Sequence, residues 1–305
     1  EIILRDREFC NLSEVVVRES DTRETLLKKV RLATILGTIQ STLTNFKYVS
    51  AMWKNNCEEE RLLGVSLTGI MDNELTNGKS GDVGKLLDEL REEAVKVNKE
   101  YASKIGIPVA AAITCVKPSG TVSQLVDAAS GIHARHNPFY IRTVRGDKKD
   151  PLTKMMVDAG FPVEDDVMNP NHTSVFSFPM KVHKSAVFRT DMSAIEQLEL
   201  WLTYQKHWCE HKPSVTISVK EHEWLDVGAW VYANFDYMSG VSFLPFSEHT
   251  YKQAPYQDCD EKEYQMVLDK MPKNVDWGKL SEYEEMDMTI GSQELACAAG
   301  NCEIQ

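Results

Sequence analysis

The chain has 305 residues, 42% of them hydrophobic, and a formal net charge of −12 from 34 basic and 46 acidic residues. A surface this acidic argues against general binding to nucleic acid polymers or anionic membranes, although it does not forbid a local phosphate pocket. No apolar run reaches 18 residues, and seven scattered cysteines do not resemble a secreted disulfide framework, so we expect a cytoplasmic protein with reduced thiols and no membrane partner.

Hydrophobic periodicity predicts helices that alternate with buried strands through the first half of the chain. A capping box of Asp21 and Glu24 should open the first helix, and Gly106 should end the second. The predicted order is a strand within 2–17, a helix at 21–45, a strand at 61–70, a helix from 82, a strand at 109–116 and a helix after the "KPSG" turn.

The same alternation continues in the second half. Strands are predicted at 139–145, 174–179, 214–219 and 241–245, and helices at 193–209 and near 221–234. A capping box of Ser193 and Glu196 should open the first of these helices. The pattern implies an α/β fold with mainly parallel strands. From about Ser281 the composition loses core-forming residues, so we expect one domain over 1–280 and a flexible tail over 281–305.

The tail contains two cysteines, Cys297 and Cys302, among small and polar residues. A Cys-x4-Cys pair on a flexible segment closes a disulfide easily and is accessible to another protein's thiolate. The sequence alone leaves a redox shuttle and a chance pair open. A third thiol, Cys10, follows the first extended segment, where a lone cysteine is most often a small buried hydrophobe.

The stretch "CVKPSGTVS" combines a strand end, a turn and a helix start. The backbone amides of Gly120, Thr121, Val122 and Ser123 should be free at the start of this helix. Such amides attract anions, which favours phosphate capture, whereas the alternative is an ordinary helix cap. The residues concerned are Lys117, Pro118, Ser119, Gly120, Thr121, Val122 and Ser123. Neither a Walker A motif nor GxGxxG is present.

The sequence contains two histidine clusters, each of which could be a metal site. In "KHWCEHK", His207 and His211 share a helix face but Cys209 points away, so a metal site is not favoured. In "GIHARH", His133 and His136 with Arg135 fit a helix-end or substrate-contact cluster better than a zinc site.

Several blocks occur in the order that ribonucleotide reductases have. They are "EIILRDREFCNLSEVVVR", "CVKPSGTVSQLVDAASGIHARHNPFYIRTVR", "VSFLPFSEHTYKQAPYQD" and "ELACAAGNCEI". Over essentially its whole length the chain resembles the C-terminal half of the adenosylcobalamin-dependent (class II) enzymes, most of all the monomeric ribonucleoside-triphosphate reductases.

That resemblance implies roles for individual residues. Glu1 matches the Glu of the family's Asn-Pro-Cys-x-Glu radical motif and would be a general base, although a terminal carboxylate by itself is normally solvated. Cys10 matches an active-site cysteine that reduces the substrate with a partner cysteine. The "PSGTVS" stretch matches the substrate-phosphate loop, and Cys297 with Cys302 matches the C-terminal shuttle pair.

The resemblance also implies adenosylcobalamin as the cofactor and a thioredoxin-like reductant. The Asp-x-His-x-x-Gly motif of other B12 enzymes is absent, so the cofactor prediction depends on the subfamily alone. Class I relatives carry an adjacent tyrosine pair, and no Tyr-Tyr occurs in this sequence, which favours class II.

The family fold is a ten-stranded α/β barrel made of two antiparallel halves of five parallel strands, of which this chain would be the second half. We therefore expect it to need its own N-terminal half, covalently or as a separate chain, because Glu1 would be an internal residue of a longer protein. The expected activity is reduction of ribonucleotides for DNA synthesis. A class I large-subunit fragment and a non-catalytic thiol-exchange or nucleotide-binding module are the alternatives.

Overall fold

The computed structural model describes residues 1–79, 81–246 and 251–284. It divides into two compact units, each discontinuous in sequence. The first comprises Glu1–Arg135 with Ser185–Phe246, and the second comprises His136–Lys184 with the described part of 247–305. None of the helices in the described residues is long and apolar enough to cross a membrane. The boundary near residue 280 stays a prediction.

Nine strands and nine α-helices lie in the described ranges, and the first part of the chain alternates them. In order they are β1 (Asn11–Val16), α1 (Arg23–Gln40), α2 (Ala51–Glu60), β2 (Leu63–Thr68), α3 (Val83–Ile105), β3 (Thr114–Cys115) and α4 (Val122–Leu125). The rest of the chain contributes β4 (Phe139–Asp147), α5 (Pro151–Asp158), β5 (Val163–Asp165), β6 (Thr173–Lys181), α6 (Ala194–His207), β7 (Val215–Val219), α7 (Trp224–Ala233), β8 (Val241–Pro245), β9 (Tyr256–Asp258), α8 (Glu261–Leu268) and α9 (Leu280–Tyr283).

Five parallel strands organise the first unit. β1 pairs with β2, β2 with β3, and β7 with β8, all in parallel. A parallel bridge between Val116 and Pro213 joins β3 to β7, with the Ser214 amide donating to the Val116 carbonyl at 2.9 Å. The resulting order β1-β2-β3-β7-β8, with helices in the crossovers, is the five-stranded parallel arrangement that the resemblance implied.

The two faces of this sheet differ in chemistry. One face is apolar and packs against the helices, with Ser13 of β1 donating to the carbonyl of Ala33 in α1 at 3.0 Å. Its buried members are Val15, Leu63, Val65, Leu67, Val116, Val215, Ile217 and Val219. Because side chains alternate along a strand, Glu14, Ser66, Thr68 and Thr216 project from the opposite face. This face also carries Leu12 and Val16, but so many polar side chains are unusual for parallel strands, which are normally apolar on both sides.

Helix α6 and the residue that caps its C-terminus anchor the centre of the sheet through two fully buried tryptophans. Trp208 donates its indole N–H to the carbonyl of Cys115 at 2.7 Å, and Trp201 donates to Pro213 at 2.7 Å. Both indoles therefore combine a large buried area with a satisfied polar group. Ser193 and Glu196 form the predicted capping box of this helix.

The first helix begins differently from the prediction. Thr22, and not Asp21, is the N-cap, with Thr25 completing the capping box, and the helix ends at Gln40. Asp21 instead accepts from the Lys29 ammonium at 2.5 Å and from the Arg18 amide at 2.7 Å. A salt bridge to a lysine two turns along thus takes the side chain away from the capping position.

The second unit contains an antiparallel sheet of order β5-β6-β4-β9. Strands β4 and β6 lie close to the predicted positions, but their antiparallel pairing departs from the expected mainly parallel pattern. On this sheet, Arg142 lies 4.5 Å above the ring of Tyr256, and the His136 Nε2 lies 2.6 Å from the Asp258 carboxylate.

Candidate active site

The first residues of the chain are held against the centre of the parallel sheet. The Lys212 amide donates to the Glu1 carbonyl at 3.0 Å, and the Ile3 amide donates to Nδ1 of His211 at 3.3 Å. The Nε2 of His211 donates in turn to the Leu63 carbonyl at 2.8 Å. These bonds fix Glu1 beside the end of β3, although no periodic pattern in residues 1–10 predicts such a position.

The hydrogen bonds of His211 define its role. With Nδ1 accepting and Nε2 donating, the ring is neutral, and burial lowers the pKa of His211 below its ordinary value. His133 is similar, since Nδ1 faces the Ser130 carbonyl and Nε2 accepts from the Thr216 amide. Both rings bind backbone. Within the described ranges, no group of three or more His, Cys, Asp or Glu side chains could hold a metal ion.

The thiol of Cys10 is half-buried against β2. A methyl group on Gly64 would lie 3.1 Å from its sulfur and 3.1 Å from Cδ1 of Ile2. Burial, together with the negative charges of Glu8 and Glu1, raises the pKa of Cys10 to about 12. Cys10 is therefore a protonated thiol at neutral pH, and Glu1 is close enough to act on it electrostatically.

A second thiol, Cys115, faces the same side of the sheet. Cys115 pairs with Ser66, which pairs with Glu14 of β1, so the three residues form a row across neighbouring strands. Burial raises the pKa of Cys115. It is fully buried, as expected for a cysteine interpreted as a small hydrophobe. The described cysteines form no disulfide.

The 117–123 loop follows β3 and is fastened to the polar face by its first residues. The Lys117 amide donates to Oγ of Ser66 at 3.0 Å. The Ser119 amide donates to Oγ of Ser130 at 3.1 Å. The hydroxyl oxygen of Ser119 lies 2.5 Å from the hydroxyl oxygen of Thr68. Ser66 and Thr68, which the sequence analysis did not single out, thus hold the loop through a Ser-x-Thr spacing that places both hydroxyls on one face.

The tip of this loop presents donors. Among the described residues, nothing accepts from the amides of Gly120, Thr121 and Val122, whereas the Ser123 amide donates to the Ser119 carbonyl at 2.8 Å. Three of the four predicted free amides are therefore available to an anion. The hydroxyl of Ser123 is buried and has no partner in the described part of the chain. The helix that follows, α4, has only four residues, shorter than the sequence indicated.

A buried ion pair supports the chain that leaves this loop. Arg135 binds Asp72 through two bonds of 2.8 and 3.0 Å, and Asp72 also accepts from the Ala129 amide at 2.7 Å. Gly131 has a φ of +52° and lies so near the Lys117 carbonyl that a Cβ would be 2.7 Å from it. A side chain at residue 131 would therefore push the loop out of position.

The sheet thus collects Glu1, Cys10 and the 117–123 loop in one unit. Lys117 is half-buried, Pro118 is exposed, and Ser119 is buried. The predicted shuttle pair, Cys297 and Cys302, lies outside the described residues. Glu14 of β1 is a further polar residue of this face that the sequence analysis did not identify.

Comparison with known proteins gives a consistent family of relatives, although no protein-family model matches the chain. A probable adenosylcobalamin-dependent ribonucleoside-triphosphate reductase of Dictyostelium discoideum is 32% identical over 91% of this chain and 36% of its own length. The corresponding reductases of Euglena gracilis and Lactobacillus leichmannii are 27% and 24% identical, covering 98% and 100% of this chain. The chain covers 40% of the length of the Euglena protein and 45% of the length of the Lactobacillus protein. It therefore spans less than half of these relatives.

The fold comparison agrees with these relatives. A crystal structure of a B12-dependent (class II) ribonucleotide reductase superposes with a TM-score of 0.77 at 24% identity, covering 94% of this chain and 43% of that protein. The predicted fold class, the resemblance and the preference for class II are confirmed. Over the part that it spans, the chain is a homologue of the adenosylcobalamin-dependent ribonucleoside-triphosphate reductases and has the fold of the class II enzyme.

Proposed function

We propose that this chain supplies one part of the active site of a ribonucleoside-triphosphate reductase, which converts ribonucleotides to 2′-deoxyribonucleotides. The observation that carries the proposal is the polar face of the parallel sheet, where Glu1, Cys10 and the 117–123 loop belong to one compact unit. The whole reaction needs the remainder of a longer protein, since the relatives are more than twice as long as this chain.

The ribose of the substrate would lie between the Cys10 thiol and the Glu1 carboxylate. Glu1 would accept the proton of the 3′-hydroxyl as a general base. The 2′-hydroxyl would leave as water with the proton of one cysteine thiol, and the hydrogen of the second thiol would take its place on C2′. The proton held by Glu1 would then return to the 3′-oxygen. Cys10 and a second cysteine elsewhere in the full-length protein would supply two electrons and become a disulfide. A raised pKa suits Cys10 for this role, because a thiol that gives up hydrogen must be protonated at working pH.

The loop would bind the phosphate end of the substrate. The free amides of Gly120, Thr121 and Val122 would donate to phosphate oxygens, and Lys117 would add a positive charge. The bonds from Ser66 and Thr68 hold the loop at the sheet, which would place the phosphates a fixed distance from Cys10. Positioning of this kind lowers the entropic part of the barrier.

Adenosylcobalamin is the proposed cofactor and would supply the initiating radical when bound. Such a cofactor would need a broad binding surface more than a cluster of protein ligands, and the described residues hold no metal-ligand cluster.

The tail over 281–305 is proposed as the carrier of reducing equivalents. Cys297 and Cys302 would reduce the disulfide at Cys10 by thiol exchange and then be reduced by a thioredoxin-like protein. Such a cycle requires a compartment that keeps thiols reduced, which is why we propose a cytoplasmic location.

The decisive experiment uses the full-length protein that contains this chain. Deoxynucleotide formation from a ribonucleoside triphosphate is measured with adenosylcobalamin and a dithiol for the wild type, for Cys10→Ser and for Cys259→Ser as the control. We expect turnover that depends on the added cobalamin, loss of turnover in Cys10→Ser, and near wild-type rates in Cys259→Ser. Equal turnover of Cys10→Ser and the wild type would refute the proposal, and activity without cobalamin would select the class I alternative.

A further inference from the structure

Glu14 is the only acidic residue in the five parallel strands. It lies in β1 opposite Ser66 of β2, and Ser66 lies opposite Cys115 of β3. Glu14 therefore projects from the polar face of the sheet. Its strand, β1, begins directly after Cys10. A carboxylate at this place contributes nothing to the apolar packing of the sheet.

The surroundings of Glu14 belong to the 117–123 loop. Burial raises the pKa of the Glu14 carboxyl, and Lys117 with the hydroxyls of Ser119 and Ser66 offsets part of this increase. Its Oε1 atom is shielded from solvent and has no hydrogen-bond partner among the described residues. A buried acceptor left without a partner costs free energy that a bound ligand can recover.

We propose that Glu14 contacts the phosphate end of the substrate and shares a proton with one of its oxygens. This inference rests on the proposed function, in which the loop binds phosphate. When the anion binds, Glu14 takes one proton from solvent, and the carboxylic acid donates it in a hydrogen bond to a phosphate oxygen. No bond other than the O–H bond of Glu14 is formed or broken.

Electrostatics gives the reason for proton uptake. A phosphate beside an ionised carboxylate would repel it, and like charges at close range favour the protonated form. Lys117 faces Glu14 from the loop and Cys115 faces it from β3, while β2 presents only the uncharged Ser66. A single lysine cannot balance the negative charges of both a triphosphate and a carboxylate. Protonation of Glu14 removes the carboxylate charge at the lowest cost in free energy.

The first test is kinetic and uses the full-length reductase with cytidine triphosphate. The variants are Glu14→Gln, which donates without titrating, Glu14→Ala, and Glu92→Gln as an exposed control on α3. We expect Glu14→Ala to raise KM about tenfold with little change in kcat, as for one lost hydrogen bond to a charged group. The wild-type KM should increase with pH, and Glu14→Gln should keep a low KM that no longer follows this pH dependence.

The second test does not need turnover. Calorimetric titration of the full-length protein with tripolyphosphate, in two buffers of different ionisation enthalpy, counts the protons taken up on binding. The wild type should take up more protons than Glu14→Gln at the same pH, and Glu92→Gln should match the wild type. A wild-type protein that forms no deoxynucleotide but shows this difference would contradict the proposed function alone. Identical proton uptake and identical KM in Glu14→Gln, Glu14→Ala and the wild type would overturn the inference. Tighter binding of tripolyphosphate by Glu14→Gln than by the wild type at every pH would overturn it as well.

Discussion

The sulfur of Cys10 lies directly against the backbone of Gly64, where a methyl group would be 3.1 Å from Sγ of Cys10 and 2.4 Å from Cδ2 of Leu12. The absence of a side chain at residue 64 therefore lets the thiol approach the sheet. We expect Gly64→Ala to displace Leu12 and Cys10, to destabilise the protein by about 1–3 kcal/mol through overpacking, and to reduce turnover of the full-length protein. Urea unfolding and the rate of deoxynucleotide formation measure both effects.

The control for this substitution is Gly228→Ala in α7, where no atom of the described residues lies within 4 Å of the added methyl group. Alanine has the better helix propensity, so this variant should be neutral or slightly more stable. Similar losses of stability and turnover in the two alanine variants would show that the contact with Cys10 has no special effect.

Cys10 should react slowly with alkylating reagents. Because burial and the charges of Glu8 and Glu1 raise its pKa to about 12, very little thiolate is present at pH 8. We expect alkylation by iodoacetamide at pH 8 to be at least about a hundredfold slower than for an ordinary cysteine with a pKa near 8.5. Peptide mass spectrometry over time gives the rate, and Glu1→Gln should increase it by removing one negative charge. A Cys10 rate equal to that of a free thiol would contradict the electrostatic account.

Stability should fall on acidification because two buried histidines are held neutral. Burial lowers the pKa of His211 and of His133 below the ordinary value of 6.5. Below about pH 6.5 the unfolded chain takes up protons that the folded chain does not, so the free energy of unfolding decreases as pH falls. The loss is at most about 1.4 kcal/mol per histidine for each pH unit. Urea unfolding between pH 7.5 and 5 measures the slope.

Variants separate these histidines from other titrating groups. His211→Gln with His133→Gln should flatten the slope between pH 6.5 and 5, because glutamine does not titrate there. His222→Gln, at an exposed histidine, should leave it unchanged. An unaltered slope in the double variant would assign the acid sensitivity to other groups.

The ion pair of Arg135 and Asp72 should contribute far more than a surface pair. Arg135→Ala leaves the buried Asp72 carboxylate without its cation, which costs about 3–5 kcal/mol in comparable cases. Arg91→Ala breaks the more exposed pair with Asp88 and should cost about 0–1 kcal/mol. Urea unfolding of both variants tests the difference, and equal losses would contradict it. Since Asp72 also binds the Ala129 amide, Arg135→Ala should in addition raise KM through the 117–123 loop.

Local patterns predicted the elements whose signals lie within a few residues. The helix between Asp82 and Gly106 and the capping box of Ser193 with Glu196 occur as expected. Predictions were less accurate where a distant partner competes, as for Asp21, which binds Lys29 instead of capping α1. The segment at 109–116 is apolar enough for a long strand, but only Thr114 and Cys115 form β3, although β2 also donates to the carbonyls of Ala112 and Ile113.

The candidate site likewise contains features that the sequence predicted and features that only the structure shows. Motif order along the chain was enough to indicate the family, and through it the proposed roles of Glu1, Cys10 and the 117–123 loop. Nothing in the local sequence distinguishes Glu14 from any other acidic residue in an extended segment. Its proximity to Ser119 and Lys117 arises only because β1 and β3 flank the same strand.

The amino-acid sequence by itself determined the alternation of helices and strands. Its motifs also carried the resemblance to the reductases, and through it they indicated a chemistry that uses thiols. The tertiary structure alone decided which sheet face is polar, which thiol lies against Gly64, and which carboxylate faces the 117–123 loop. The physical reason is that periodicity and capping act over a few neighbouring residues, whereas burial, pKa and hydrogen-bond partners depend on strands that are far apart in the chain and lie side by side only in the folded protein.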